Sequence, residues 1–86
     1  MLVRNKVQDY TTWRKIFDQN ADSFPHSALT LEWIRQDADD PQQVWFSLLV
    51  EDRAKAEEYL ADPIHAKIGQ QAGVIDGEIF YIQDTD

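Results

Sequence analysis

One apolar stripe constrains this chain more than any other feature. Tyr10, Trp13, Ile16, Phe17, Ala21 and Phe24 recur at steps of three and four residues. That spacing lines them along one side of a helix of about four turns. Asp9 precedes the stripe, where its carboxylate can accept a bond from a free backbone N–H of the first turn. Pro25 follows it, where a helix cannot easily continue. A helix is therefore predicted over 9–24. Its aromatic side needs an apolar surface to cover.

The flanking segments supply that surface with a different period. Leu2 to Val7 is short and β-compatible and reads as a first strand, 2–7. Residues 28–36 alternate and carry β-formers. Asp37-Ala38-Asp39-Asp40-Pro41 is rich in turn formers, and 43–50 is a third strand. Two strands joined by a short polar turn make an antiparallel hairpin. A second helical region is predicted over 52–72. Asp52 caps it, and Ala56, Tyr59 and Leu60 form its first stripe. Asp62-Pro63 interrupts it, with Asp62 read as a cap and Pro63 as the first helical position. Ile64, Ile68 and Ala72 continue the stripe, and Gly73 is a left-handed stop. A last strand is predicted over 78–83. The order β-α-β-β-α-β is the ferredoxin-like, split-βαβ arrangement of an α+β domain. Right-handed crossovers place both helical regions on one face of a four-stranded antiparallel sheet.

Composition narrows the class. The 86 residues suit a single domain, 1–86, and 43% apolar with 28% charged residues is an ordinary globular balance. The chain has no cysteine, which excludes disulfides, thiolate metal sites and a nucleophilic thiol. A formal net charge of −8 opposes nucleic acid, which needs a basic surface. Arg4, Lys6, Arg14 and Lys15 gather near the start and read as solvated charges on a strand and a helix. Charges interrupt the first seven residues where a signal peptide needs an apolar run. No stretch of about 18 apolar residues exists to span a membrane. The expectation is a cytoplasmic protein.

The strands carry more apolar side chains than one covered face requires. On the third strand Val44, Phe46, Leu48 and Val50 point one way, and Trp45, Ser47 and Leu49 the other. Strict alternation on the second strand puts Leu29, Leu31 and Trp33 on one side and Thr30, Glu32 and Ile34 on the other. Ile79 and Tyr81 oppose Phe80 and Ile82 on the last. An apolar cluster left outside the helices points to an interface. Burying about 500 Å² of it would contribute about 12 kcal/mol before association costs. The expected partner is a second copy of the chain.

The residues Val7-Gln8-Asp9-Tyr10-Thr11-Thr12-Trp13-Arg14-Lys15-Ile16-Phe17-Asp18 resemble the V-x-D-Y-x-x-W-[KR]-x-x-F-D opening of a group of small bacterial proteins. These belong to the dimeric α+β barrel superfamily and are described as cyclase-like or of unknown function. The 37–41 turn and the Ala72-Gly73-Val74 step are similar too. Ser23 to Ser27 departs from the pattern, which has a glycine near there. The resemblance implies a homodimer whose two sheets face each other across a barrel, helices outside. It also implies a cleft between sheet and helices for a small organic ligand or, as a minor alternative, haem. The nearest enzymatic relatives it suggests are antibiotic-biosynthesis monooxygenases, whose chemistry does not transfer by fold alone.

His65 is the best candidate for chemistry, because an imidazole titrates near neutral pH and Ile64 and Ala66 flank it. It would serve as general base, haem ligand or hydrogen-bonder, against the plain alternative of a surface histidine. His26 and His65 lie 39 positions apart, with none of the spacings of a zinc site. Tyr10, Trp13 and Phe17 on the first helix and Tyr59 on the second are ligand-wall candidates, although core packing also accounts for them. Asp37, Asp39 and Asp40 lack the glycine and distal glutamate of a calcium loop. Two functions stay open. One is a cofactor-independent oxygenase or isomerase with a pocket under the helices. The other is a non-catalytic ligand-binding or protein-interaction module.

Overall fold

In a computed structural model of the protein, which describes residues 1–22, 24 and 28–85, the stripe beginning at Tyr10 forms α1, Tyr10–Asn20. Asp9 is extended and caps it: its Oδ2 accepts from the backbone N of Thr12 at 2.9 Å and from the Thr12 hydroxyl at 2.8 Å. The helix closes at Asn20, four residues short of the predicted end. There the Asn20 side chain donates to the Ile16 carbonyl at 2.8 Å, in the competition with the backbone that makes asparagine a poor helix continuer. The predicted stop at Pro25 and the departure at Ser23 and Pro25 to Ser27 lie outside the described residues.

The remaining elements are β1 (Leu2–Val7), β2 (Leu29–Gln36), β3 (Gln43–Val50), α2 (Arg53–Leu60), α3 (Ile64–Ala72) and β4 (Val74–Phe80). The Asp37 carboxylate accepts from the backbone N–H groups of Asp39 and Asp40 and so builds the β2–β3 turn. Asp52 caps α2 through Lys55 N at 3.2 Å. Pro63 occupies the cap position of α3, one place earlier relative to the helix than predicted, and Asp62 accepts from Ile64 N at 3.0 Å. Gly73 ends α3 in the left-handed conformation, φ 78°, and feeds the chain straight into β4. For that reason β4 starts before the predicted 78. It ends at Phe80 rather than Gln83 because Phe80 pairs with Leu2, where β1 runs out. Tyr81 lies beyond the strand, with the Arg53 guanidinium 4.0 Å over its ring.

The four strands form one antiparallel sheet in the order β2-β3-β1-β4, compatible with a ferredoxin-like arrangement. Rows across it define its faces. Ile34, Phe46, Val3 and Ile79 form one inner row, and Gln36, Val44, Asn5 and Gly77 the next. The helices cover this face: Val3, Val7, Trp13, Leu29, Val44, Phe46 and Leu48 are buried in one core. Among the described residues, no helix is long and apolar enough to cross a membrane.

One register irregularity corrects the strict alternation read along the second strand. Between Leu31 and Trp33 the β2–β3 pairing slips, so that Leu31 faces Leu48 and Trp33 faces Ser47. The extra residue reverses the alternation beyond it. Ile34 therefore packs on the core, while Trp33 joins the opposite face, with Arg35 4.5 Å over its ring. Glu32 on that face accepts from the Ser47 hydroxyl at 2.7 Å. The open face now holds Leu2, Trp33, Trp45, Leu49 and Phe80, with Leu49 50% and Phe80 40% exposed.

Candidate functional site

A cavity of about 330 Å³ lies between the inner face of the sheet and the helices. Its floor is Val3, Asn5, Phe46 and Leu48 on the central strands. Trp13, Ile16 and Phe17 of α1 make one wall. Tyr59 and Leu60 of α2 with His65, Ile68 and Gly69 of α3 make the other, and Phe24 closes one side. A volume near 300 Å³ with mostly apolar lining and a few polar groups has the character of a small-molecule site.

The aromatic wall follows from the helical stripe. Trp13 is 2% exposed and stacks on Phe17 at 4.9 Å, and both rings meet Phe46, at 5.8 and 5.1 Å. These rings are core and lining at once, as their double reading in the sequence allowed. Tyr10 stacks on the outer side of Trp13 at 6.0 Å and does not line the cavity. Its hydroxyl accepts from Arg14 Nη1 at 3.3 Å, which holds the Arg14 guanidinium above its ordinary range.

His65 lines the cavity, partly buried, with its ring 4.1 Å from that of Tyr59. The break at Asp62-Pro63 places it there. The Asp62 carbonyl accepts from His65 N at 3.1 Å, starting α3 so that His65, Ile68 and Ala72 share the side that lines the cavity. Among the described residues no Asp, Glu, Lys or Arg lines the cavity, and no group of three or more His, Asp or Glu side chains is placed to hold a metal.

Asn5, Asn20 and Gly69 were not singled out from the sequence. For Asn5 the signal was present: it alternates in phase with Val3 and Val7, and so faces inward with them. Asn20 donates to Ile16 within its own helix. The Asn5 carboxamide and the His65 imidazole make no side-chain hydrogen bond among the described residues.

The strongest electrostatics lie on the opposite face of the sheet. Arg4 reaches Asp76 at 3.0 Å, Glu78 at 2.8 Å and Gln43 at 2.8 Å. Hydrogen bonding to Asp76, then to Glu78, holds the guanidinium above its ordinary range. The same bond, with help from the Gly77 N–H, holds the Asp76 carboxyl below the usual carboxylate range. These charges pair with one another and are separate from the cavity.

No protein-family model, curated protein or solved structure matches this chain.

Proposed function

We propose that the chain is a homodimeric α+β barrel protein that binds a small organic molecule in the cavity between its sheet and helices. The cavity itself carries this reading. It lies between packed elements, has an aromatic wall, and retains the Asn5 and His65 side chains, which make no side-chain hydrogen bond among the described residues. A domain of this size has little core to spare, so an unfilled space of this kind is retained at a cost in stability.

Gly69 supports the same reading. It sits inside α3, where glycine weakens a helix by about 1 kcal/mol relative to alanine. A methyl there would meet only Val74 Cβ, at 3.9 Å. Sterics thus permit alanine; glycine keeps the cavity open.

A second reading adds catalysis. His65 supplies the imidazole of the lining among the described residues, and it would move a proton in a cofactor-independent isomerase or oxygenase reaction. Among the described residues no carboxylate in the lining orients its ring, which favours binding as the primary role. Haem does not suit this donor set: among the described residues the lining offers an imidazole but no Lys or Arg for the propionates. Dimerisation rests on the open face, where Leu2, Trp33, Trp45, Leu49 and Phe80 form an apolar group on the side away from the helices.

The test is a thermal-shift screen of small organic molecules against the wild type and Gly69→Leu. A ligand of the cavity raises the melting temperature of the wild type and has no effect on the filled variant. Equal shifts in both proteins would place binding elsewhere and contradict the proposal. Proton exchange or isomerisation of a hit, lost in His65→Ala while binding persists, would establish the catalytic reading.

A further inference from the structure

Asn5 sits where an asparagine is costly. Strand interiors disfavour it, and its half-buried carboxamide is turned toward an apolar core while its polar atoms keep contact with solvent. Val44 on one side of it is fully buried. On the other side is Gly77, and a Cβ at that position would stand 2.8 Å from Asn5 Oδ1 and 3.0 Å from the Arg4 carbonyl. Gly77 thus leaves the space that the Asn5 side chain uses. An asparagine kept for structure would spend its donor and acceptor on the protein. Here they meet none among the described residues and face the cavity.

Resting on the ligand-binding reading, we infer that Asn5 is the residue that orients the bound molecule, and that this molecule is uncharged. A carboxamide presents a donor and an acceptor side by side and carries no charge. It is complementary to a ligand whose apolar body bears a hydroxyl, amide or hydroxy-ketone group. An ionised ligand would leave water for a lining that, among the described residues, has no carboxylate, ammonium or guanidinium to meet it. Gly77 acts through Asn5 as a positioning residue.

Two probes of one shape test this: 2-naphthol and 2-methylnaphthalene, titrated into wild type, Asn5→Val and Asn5→Ser and followed by the NMR shifts of cavity methyl groups. Asn5→Val should weaken 2-naphthol about five- to tenfold, the loss of one desolvated hydrogen bond. It should leave 2-methylnaphthalene unchanged or tighter. Without ligand, Asn5→Val should melt a few degrees higher, because a binding group kept at the expense of stability has been removed. If Asn5→Val does not fold, Asn5→Ser carries the comparison with the same expected selectivity. Equal weakening of both probes, or an unchanged 2-naphthol affinity, would overturn the role of Asn5 and leave the cavity reading standing. If neither probe moves a cavity resonance in the wild type, both inferences fall together.

Discussion

Trp13 shows how far single side chains determine this structure. It is buried between the sheet and its own helix and touches Tyr10, Phe17 and Phe46. Trp13→Ala should cost about 3–5 kcal/mol. That is a large part of the roughly 4–13 kcal/mol expected for a chain of this length. Urea unfolding should show a much lower midpoint; an unchanged midpoint would mean that Trp13 is not core. Two carboxylates set a pH dependence. Thr12 N–H donation holds Asp9 below its ordinary value of 3.8, and Arg4 does the same for Asp76. A folded-state pKa below the unfolded value means that the unfolded chain binds more protons. The stability these groups contribute is therefore present above about pH 4 and is lost as the pH falls through and below that value. Melting temperatures measured from about pH 5 downward should drop, and the drop should be shallower in Asp9→Asn/Asp76→Asn. Parallel curves for the two proteins would refute the assignment. Asp9 was legible in the sequence because a cap acts within one turn. The Arg4–Asp76 pair was not, since its partners are 72 positions apart and meet only through strand pairing.

At the scale of elements, β1 and β3 took their predicted bounds because period and flanking turns agreed there. The errors arose where a distant partner decides. β4 is set by the reach of β1, and the bulge in β2 is set by register against β3. That bulge exchanges the roles of two adjacent residues. Ile34→Asp should unfold the protomer, since Ile34 packs on the core. Trp33→Asp should leave the protomer folded and act on association. Far-ultraviolet circular dichroism with melting distinguishes them; equal destabilisation would place both residues on one face. Gly69→Ala in α3 should raise stability by up to about 1 kcal/mol, since helix propensity improves and the methyl fits. Lower stability would show that the glycine is kept for packing and not for the space beside it.

The whole molecule has one sheet with two unlike faces, one under the helices around a cavity and one open. The helical stripe was legible in the sequence, but which side of the sheet it covers was not, because alternation sorts each strand into two partly apolar sides and both carry large residues. The volume under the helices was not legible either, because an unfilled space depends on how far helices stand from a sheet, which no residue pattern encodes. For the open face, light scattering at micromolar concentration should give about twice the 10.0 kDa chain mass. Trp45→Glu should shift that mass toward the monomer without unfolding it, whereas a wild-type monomer would end the dimer proposal. The central claim is that the space under the helices takes a small molecule. Its most direct test is a methyl-resolved NMR titration of the wild type with 2-naphthol. The shifts should gather on Val3, Leu48, Ile68 and Ala72, which line the cavity. Shifts confined to Leu2 and Leu49 on the open face, or an unchanged spectrum at saturating probe, would contradict it.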